Sequence, residues 1–320
     1  MQGKIGLEEH FAIDETVGHI PAGLTNAQER KKRLLDMYDM RIEEMDRHGL
    51  DIMILSLNSP AIQEECDPRK AVELARRCND YLAEVVARRP DRFRGFAALP
   101  MQDPDEAARE LERCVRDFGF KGALVNGFSQ IGEPDNAVYL DDARYRPFWG
   151  VVERLDTPFY LHPRNPMEGQ RRIYEGHPWL MAAAWAFTVE TATHALRLFC
   201  SGIFDEYPRL KLILGHLGEC LPHTLWRTQN RLNRDPREKP FKKPLPHYMR
   251  NNLYVTTSGN FHTPALKNVI EEMGVERVLF STDYPFETVR DAAEWFDNAD
   301  IPEEARQAIG RENARRLFDL

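Results

Sequence analysis

The sequence predicts an α/β protein of the (β/α)8 TIM-barrel class, in one domain over residues 1–320, with insertions in the βα loops and a C-terminal helix. Three observations predict it. Eight short apolar or β-branched runs recur along the chain, each followed by a longer stretch of helical periodicity. The runs are nearly continuous in apolar residues, as parallel strands buried on both faces are. The segment that ends the first run, Glu8-Glu9-His10-Phe11, has no glycine, so the phosphate-binding turn of the rival doubly wound sheet is missing.

The first strand covers 4–10, and residues 11–27, with Gly and Pro, read as a loop long enough to be functional. A helix over 28–47 follows, with Leu34, Leu35, Tyr38, Ile42 and Met45 at helical spacing and Gly49 just past its end. The second strand is 51–57, and Pro68 opens a helix to Arg88 at the position where proline is tolerated. The third strand is 93–99 with a helix over 104–118, and the fourth is 123–126 with a helix near 145–155. The fifth strand, 158–162, leads into an insertion over 163–178 and a helix over 185–201. The sixth, 210–216, precedes a helical run over 225–232 and a basic, Pro-rich excursion to about 246, read as a solvated loop or an oligomer contact. The seventh, 253–258, is followed by a helix over 264–273, and the eighth, 277–283, by two helices.

Composition bounds the function. With 42% hydrophobic and 29% charged residues the chain is an ordinary globular protein. A net charge of −8, from 43 basic and 51 acidic residues, leaves no electrostatic footprint for nucleic acid. No run approaches the roughly 18 apolar residues of a membrane span, and no signal peptide stands at the start, so a cytoplasmic protein with no membrane partner is expected. Cys66, Cys78, Cys114, Cys200 and Cys220 lack a Cys-x-x-Cys pair and are expected to be reduced and mostly buried on helices, with packing also expected for Cys220.

In a barrel the C-terminal strand ends converge on one face, where active sites are built. Those ends carry Glu8 and His10, Asn126, His162, His216 and Asp283. Glu-x-His on a strand puts both side chains on one face; by itself that is more often a surface ion pair than a metal site. Its weight comes from recurrence, since Glu8, His10, His162 and Asp283 together form a carboxylate and imidazole set suited to Zn²⁺ or Mn²⁺. Glu219, just beyond the sixth strand, is placed to hydrogen-bond His216, as an acid/base or ligand-orienting histidine requires; the alternative is a histidine that only holds its loop. Arg227 and Arg231, one turn apart, suit a substrate carboxylate or solvent-facing ion pairs. Phe11, Phe128, Trp185, Phe187, Tyr284 and Phe286 lie in or near the same loops, some lining a pocket for a flat ring and some packing the core.

Glu8-x-His10, His162-Pro163, Gly215-His216-x-Gly218-Glu219 and Ser281-Thr282-Asp283-Tyr284-Pro285-Phe286 together resemble the metal-dependent decarboxylases of the amidohydrolase superfamily, end to end. Hydrolytic members of the superfamily commonly start with His-x-His and often add a bridging lysine, so Glu8 in the first position points to the hydroxybenzoate-decarboxylating branch. The resemblance implies reversible, non-oxidative loss of CO₂ from a hydroxybenzoate, with 2,6-dihydroxybenzoate expected. One divalent ion would be held by Glu8, His10, His162 and Asp283, and no organic cofactor would be needed. It implies Asp283 as proton donor, assisted by His216 and Glu219. Asn126, Arg227 and Phe286 would contact a small aromatic carboxylate, Arg227 either within its own subunit or across a subunit interface, and the assembly would be a homotetramer. Hydrolysis of a lactone or amide, or decarboxylation of 2,3-dihydroxybenzoate or salicylate, is the alternative.

Overall fold

The computed structural model describes residues 1–19 and 26–320. The expected loop over 11–27 therefore lies partly outside the described residues. Strands β1 (Lys4–Phe11), β2 (Leu50–Leu57) and β3 (Phe93–Gly95) form one parallel ladder in that order. The second ladder uses β4 (Ala123–Asn126), β7 (Phe159–His162), β8 (Leu212–Leu214), β9 (Leu253–Thr256) and β10 (Val278–Leu279), in the order β10-β9-β8-β7-β4 and again parallel. Among the described residues one isolated parallel bridge, Ala97 to Ala123, joins the two ladders. Between β1 and β10 the described residues form no ladder, and the junction there is made by discrete bonds, among them His10 N–H to Tyr284 O at 2.7 Å.

The hydrophobic core has two parts. One cluster gathers Ile5, Leu7, Ile54, Phe96, Leu124, Tyr160, Ile213 and Leu279, one or two side chains from most of the parallel strands, and Ala314 and Phe318 of the C-terminal helix pack against it. A larger cluster lies between strands and helices and includes Met53, Leu55, Val125, Leu161, Leu214 and Val255, the alternate positions on the same strands. The strands are therefore buried on both faces, which explains their continuous apolar sequence.

Several expected elements differ. The helix over 28–47 is two helices, Ala27–Leu35 and Met40–His48, broken where Asp36 turns extended and its Oδ1 accepts from Arg41 N–H. That break brings the fully buried Arg41 across to His10 O, 2.6 Å from Nη2. The third and eighth strands are shorter than expected as ladders. Residues 129–138 form an antiparallel hairpin, β5 (Ser129–Ile131) with β6 (Glu133–Val138), turned at Gly132 with φ +75°. The basic excursion ends in a further helix, Leu245–Asn252. All five cysteines are free, but only Cys78 and Cys114 are buried, and Cys220 is exposed rather than packed. No helix of the described residues is long and apolar enough to cross a membrane.

Candidate active site

The site begins with an irregularity in β1. Gly6 pairs with Met53 and Glu9 with Leu55, so β1 spends three steps where β2 spends two. This is a bulge, one extra residue that re-aims the side chains after it. Ile5 and Leu7 belong to the inner cluster, and past the bulge Glu8 and His10 take the inner side as well. Glu9 is turned to the opposite side.

Glu8, His10, His162 and Asp283 each offer a ligand atom, and these atoms all lie within 4.8 Å of one another. The first three are buried and Asp283 retains a little exposure. The donors fit a divalent cation on two counts. Glu8 Oε1 and His10 Nε2 are buried without a hydrogen-bond partner, and a polar atom left so is costly unless something binds it. His162 Nε2 stands 3.2 Å from Glu8 Oε1, and His10 Nε2 is 3.4 Å from Asp283 Oδ1, so carboxylates and imidazoles alternate around one point.

The ligands are themselves held. Ser258 Oγ donates to Glu8 Oε2 at 2.6 Å, the Tyr160 hydroxyl donates to the same oxygen, and Thr256 Oγ1 lies 2.8 Å from both hydroxyls. With Oε2 occupied, Oε1 is the free acceptor. His10 Nδ1 is 3.2 Å from Ser56 Oγ. Burial opposes ionisation of Glu8, but the imidazoles of His216, His162 and His10 outweigh it and hold the carboxyl well below the usual range. Such outer contacts fix the orientation of the ligand atoms.

His216 stands beside the cluster. Its Nε2 is 3.7 Å from both Glu8 Oε1 and Asp283 Oδ2, and its Nδ1 is 2.8 Å from Glu219 Oε1. Glu219 is buried and its second oxygen accepts from Thr188 Oγ1 at 2.8 Å. Burial alone would lower the pKa of His216; Glu219, Glu8 and Asp283 reverse the sign and raise it well above the ordinary imidazole value.

Of the other expected residues, Asn126 is paired in register with His162. Its Nδ2 donates to Asn58 O at 3.2 Å, which leaves Oδ1 buried and without a partner. Phe286 sets its ring edge to face with His10, centroids 5.5 Å apart. Arg227 is exposed on the helix Leu221–Leu232, lining a cavity of about 620 Å³ with Thr224, Thr228 and Arg231, and no metal-cluster residue lines it. Among the aromatic candidates, Phe11 is core, Phe128 lies under the Arg164 guanidinium, Tyr284 under Arg41, and Trp185 is exposed. Sequence reasoning missed Tyr160, Ser258, Thr188 and Arg41. A tyrosine two residues before His162 on a strand shares its face, and that spacing was the available signal for Tyr160.

Comparison with known proteins places this geometry. The family model described as Amidohydrolase matches residues 13–320. The chain belongs to the amidohydrolase family. Within that family, it is 56% identical to the gamma-resorcylate decarboxylase of Rhizobium sp. strain MTP-10005, over 100% of this chain and 99% of that one. A solved 2,6-dihydroxybenzoate decarboxylase complexed with 2,6-dihydroxybenzoate superposes with a TM-score of 0.97 at 56% identity, covering 100% of both chains. The dihydroxybenzoic acid decarboxylase of Polaromonas sp. JS666, with bound manganese and the inhibitor 2-nitroresorcinol, gives 0.96 at 54% identity, over 100% of this chain and 98% of that one.

Proposed function

We propose that this amidohydrolase-family chain catalyses the reversible, non-oxidative decarboxylation of 2,6-dihydroxybenzoate to resorcinol and CO₂ at one divalent ion held by Glu8, His10, His162 and Asp283. The observation that carries it is the four-ligand cluster with a carboxylate-held imidazole, His216, 3.7 Å from Asp283 Oδ2. Relatives named for the same reaction support it, and the manganese in one of them favours Mn²⁺ over Zn²⁺ in a donor set without thiolate. The two ladders are read as arcs of one closed (β/α)8 barrel forming a single domain, supported by the inner cluster that draws on both.

A divalent cation held by these four residues would supply Lewis-acid polarisation of the substrate carboxylate and an ortho hydroxyl, favouring the phenolate. Asp283 delivers a proton to the ring carbon that bears the carboxylate. The C–C bond then breaks, CO₂ leaves, and the bonding pair returns to the ring, so no organic electron sink is required. A carboxylate that ligates a cation is a poor acid, so Asp283 would have to carry the proton on an oxygen free of the ion. His216 resupplies it, with Glu219 fixing the imidazole. Phe286 walls the ring, and the unpartnered Asn126 Oδ1 accepts from the second ortho hydroxyl.

Arg227 serves a neighbouring subunit. Trp226 beside it is 72% exposed, and Ile173 of the insertion and Trp179 just past it are exposed too, an apolar set suited to a homotetramer contact. Free thiols suit the cytoplasm.

The test is CO₂ release from 2,6-, 2,3- and 2,4-dihydroxybenzoate and salicylate, with metal content measured on the same sample. Resorcinol and CO₂ in equal amounts from the 2,6 isomer, and carboxylation of resorcinol by bicarbonate, are expected. No CO₂ from any of them, with hydrolysis of a lactone or amide instead, would overturn the reading.

A further inference from the structure

The outward-turned carboxylate of β1 is the one buried acid near the centre that the reaction leaves without a task. Glu9 is fully buried, yet every bond it accepts comes from one short segment. Its Oε1 accepts from Ser281 Oγ at 3.0 Å and from Thr282 N–H at 2.8 Å. Its Oε2 accepts from the Thr282 hydroxyl and from Tyr284 N–H at 3.3 Å. The two backbone donors flank Asp283.

Asp283 itself has φ +67°, in the left-handed region that a β-substituted residue enters at a cost of about 1 kcal/mol or more. Something must hold it there. No ladder reaches this far between β1 and β10, and the segment is held by discrete bonds, among them His10 N–H to Tyr284 O at 2.7 Å and Ser281 N–H to Thr257 Oγ1 at 3.0 Å. Glu9 adds the acceptors for the backbone on either side of Asp283, and Ser281 Oγ, which donates to Glu9, also accepts from Glu8 N–H at 2.7 Å. The bulge makes this possible by setting Gly6 and Glu9 on the same side, where a Cβ at Gly6 would overlap Glu9 Oε1.

We propose that Glu9 is a positioning residue, a carboxylate clamp that grips the backbone on either side of Asp283 and so sets the geometry of that ligand in the metal centre. The proposal rests on the metal-site reading above. A glutamine at position 9 keeps the shape but turns an NH₂ toward a segment that offers donors, so one end of the clamp opens.

The experiment compares the wild type, Glu9→Gln, Asp283→Ala and Leu111→Ala, the last a core truncation in the helix Pro104–Phe118 remote from the site. Mn²⁺ affinity is measured by calorimetry on metal-free protein, and the visible spectrum is recorded after Co²⁺ loading. Glu9→Gln is expected to weaken Mn²⁺ binding by about 10- to 100-fold and to move the Co²⁺ spectrum toward that of Asp283→Ala. Leu111→Ala is expected to lower the melting temperature while leaving both readouts alone. Should Glu9→Gln fail to fold, Thr282→Val, which deletes one donor to the clamp, decides through the same loss of affinity and spectral shift. Affinity and spectrum indistinguishable from the wild type in the folded variants would overturn the role of Glu9. Failure of the unaltered protein to bind Mn²⁺ would overturn the site reading itself, and neither readout depends on which substrate is turned over.

Discussion

His216 Nδ1 and Glu219 Oε1 meet at 2.8 Å inside a run in which His216, Leu217, Gly218, Glu219 and Cys220 all have positive φ. Four of these five are not glycine, and each costs about 1–2 kcal/mol in that region. The strain is confined to the turn between β8 and the helix Leu221–Leu232 and is held by His216 N–H to Ser258 Oγ and Gly218 N–H to Gly215 O. A straight exit from β8 would carry the imidazole away from Asp283; the left-handed turn folds it back over the ligands.

Glu219→Gln should therefore disable turnover while sparing the centre. The amide cannot balance a protonated imidazole as the carboxylate does, so kcat is expected to fall about 10- to 100-fold. Metal content should stay at the wild-type level, because Glu219 contacts His216 and Thr188 and none of the four ligands. Steady-state kinetics with metal analysis on the same sample checks this; loss of metal along with activity would contradict it.

Removing the metal should cost stability as well as activity. Without a cation, Glu8 Oε1 and His10 Nε2 are buried with no hydrogen-bond partner. A ligand that binds only the folded state adds about 4 kcal/mol at a thousandfold excess over its Kd. Dialysis against a chelator is expected to abolish turnover and lower the melting temperature, and Mn²⁺ to restore both. An unchanged melting temperature across stripping and reloading would show that the four side chains are not a cation site.

The cluster of possible metal ligands was legible in sequence because strand ends are where apolar runs stop, and the polar residue that stops each run is visible: Glu8, His10, His162, Asp283. What alternation alone does not reveal is the bulge that seats Glu8 with His10 on the inner side, since a bulge depends on register with a partner strand whose paired residues lie 46 and 47 positions away. The break between Leu35 and Met40 was hidden too, because Leu34, Tyr38, Ile42 and Met45 keep helical spacing across it; the buried Arg41 bond to His10 O overrides that propensity. The hairpin at 129–138 did leave a trace in Gly132, the turn residue between its strands.

Gly215→Ala isolates the packing of the Glu8 carboxylate. Gly215 has φ −71°, which alanine adopts freely, so backbone strain plays no part. A Cβ there would lie 2.5 Å from Glu8 Oε2 and 3.0 Å from Ser258 Oγ, within the cluster of hydroxyls that orients this ligand. Overpacking of this kind costs about 1–3 kcal/mol, which as lost affinity is about 5- to 150-fold. Mn²⁺ titration of the variant is the measurement, and wild-type affinity would mean that Glu8 tolerates displacement.

Acid sensitivity should trace in part to His194, far from the ligands in sequence and on the helix Ala186–Cys200. Its Nε2 accepts from Leu140 N–H at 2.9 Å, a bond only the neutral ring can make. Burial, with a smaller push from Arg197, lowers its pKa from 6.5 to about 3. The unfolded chain binds this proton first as pH falls, so the stability His194 contributes is complete above about pH 6.5 and is lost progressively down to about 3. The slope is at most about 1.4 kcal/mol per pH unit. In His194→Gln the side-chain oxygen can still accept from Leu140, but nothing titrates. Urea unfolding at pH 7 and pH 5 is expected to show the wild type losing more stability than the variant over that interval, by up to about 2 kcal/mol. Equal losses in the two proteins would mean that His194 is protonated in the folded state or solvated as freely as in the unfolded chain.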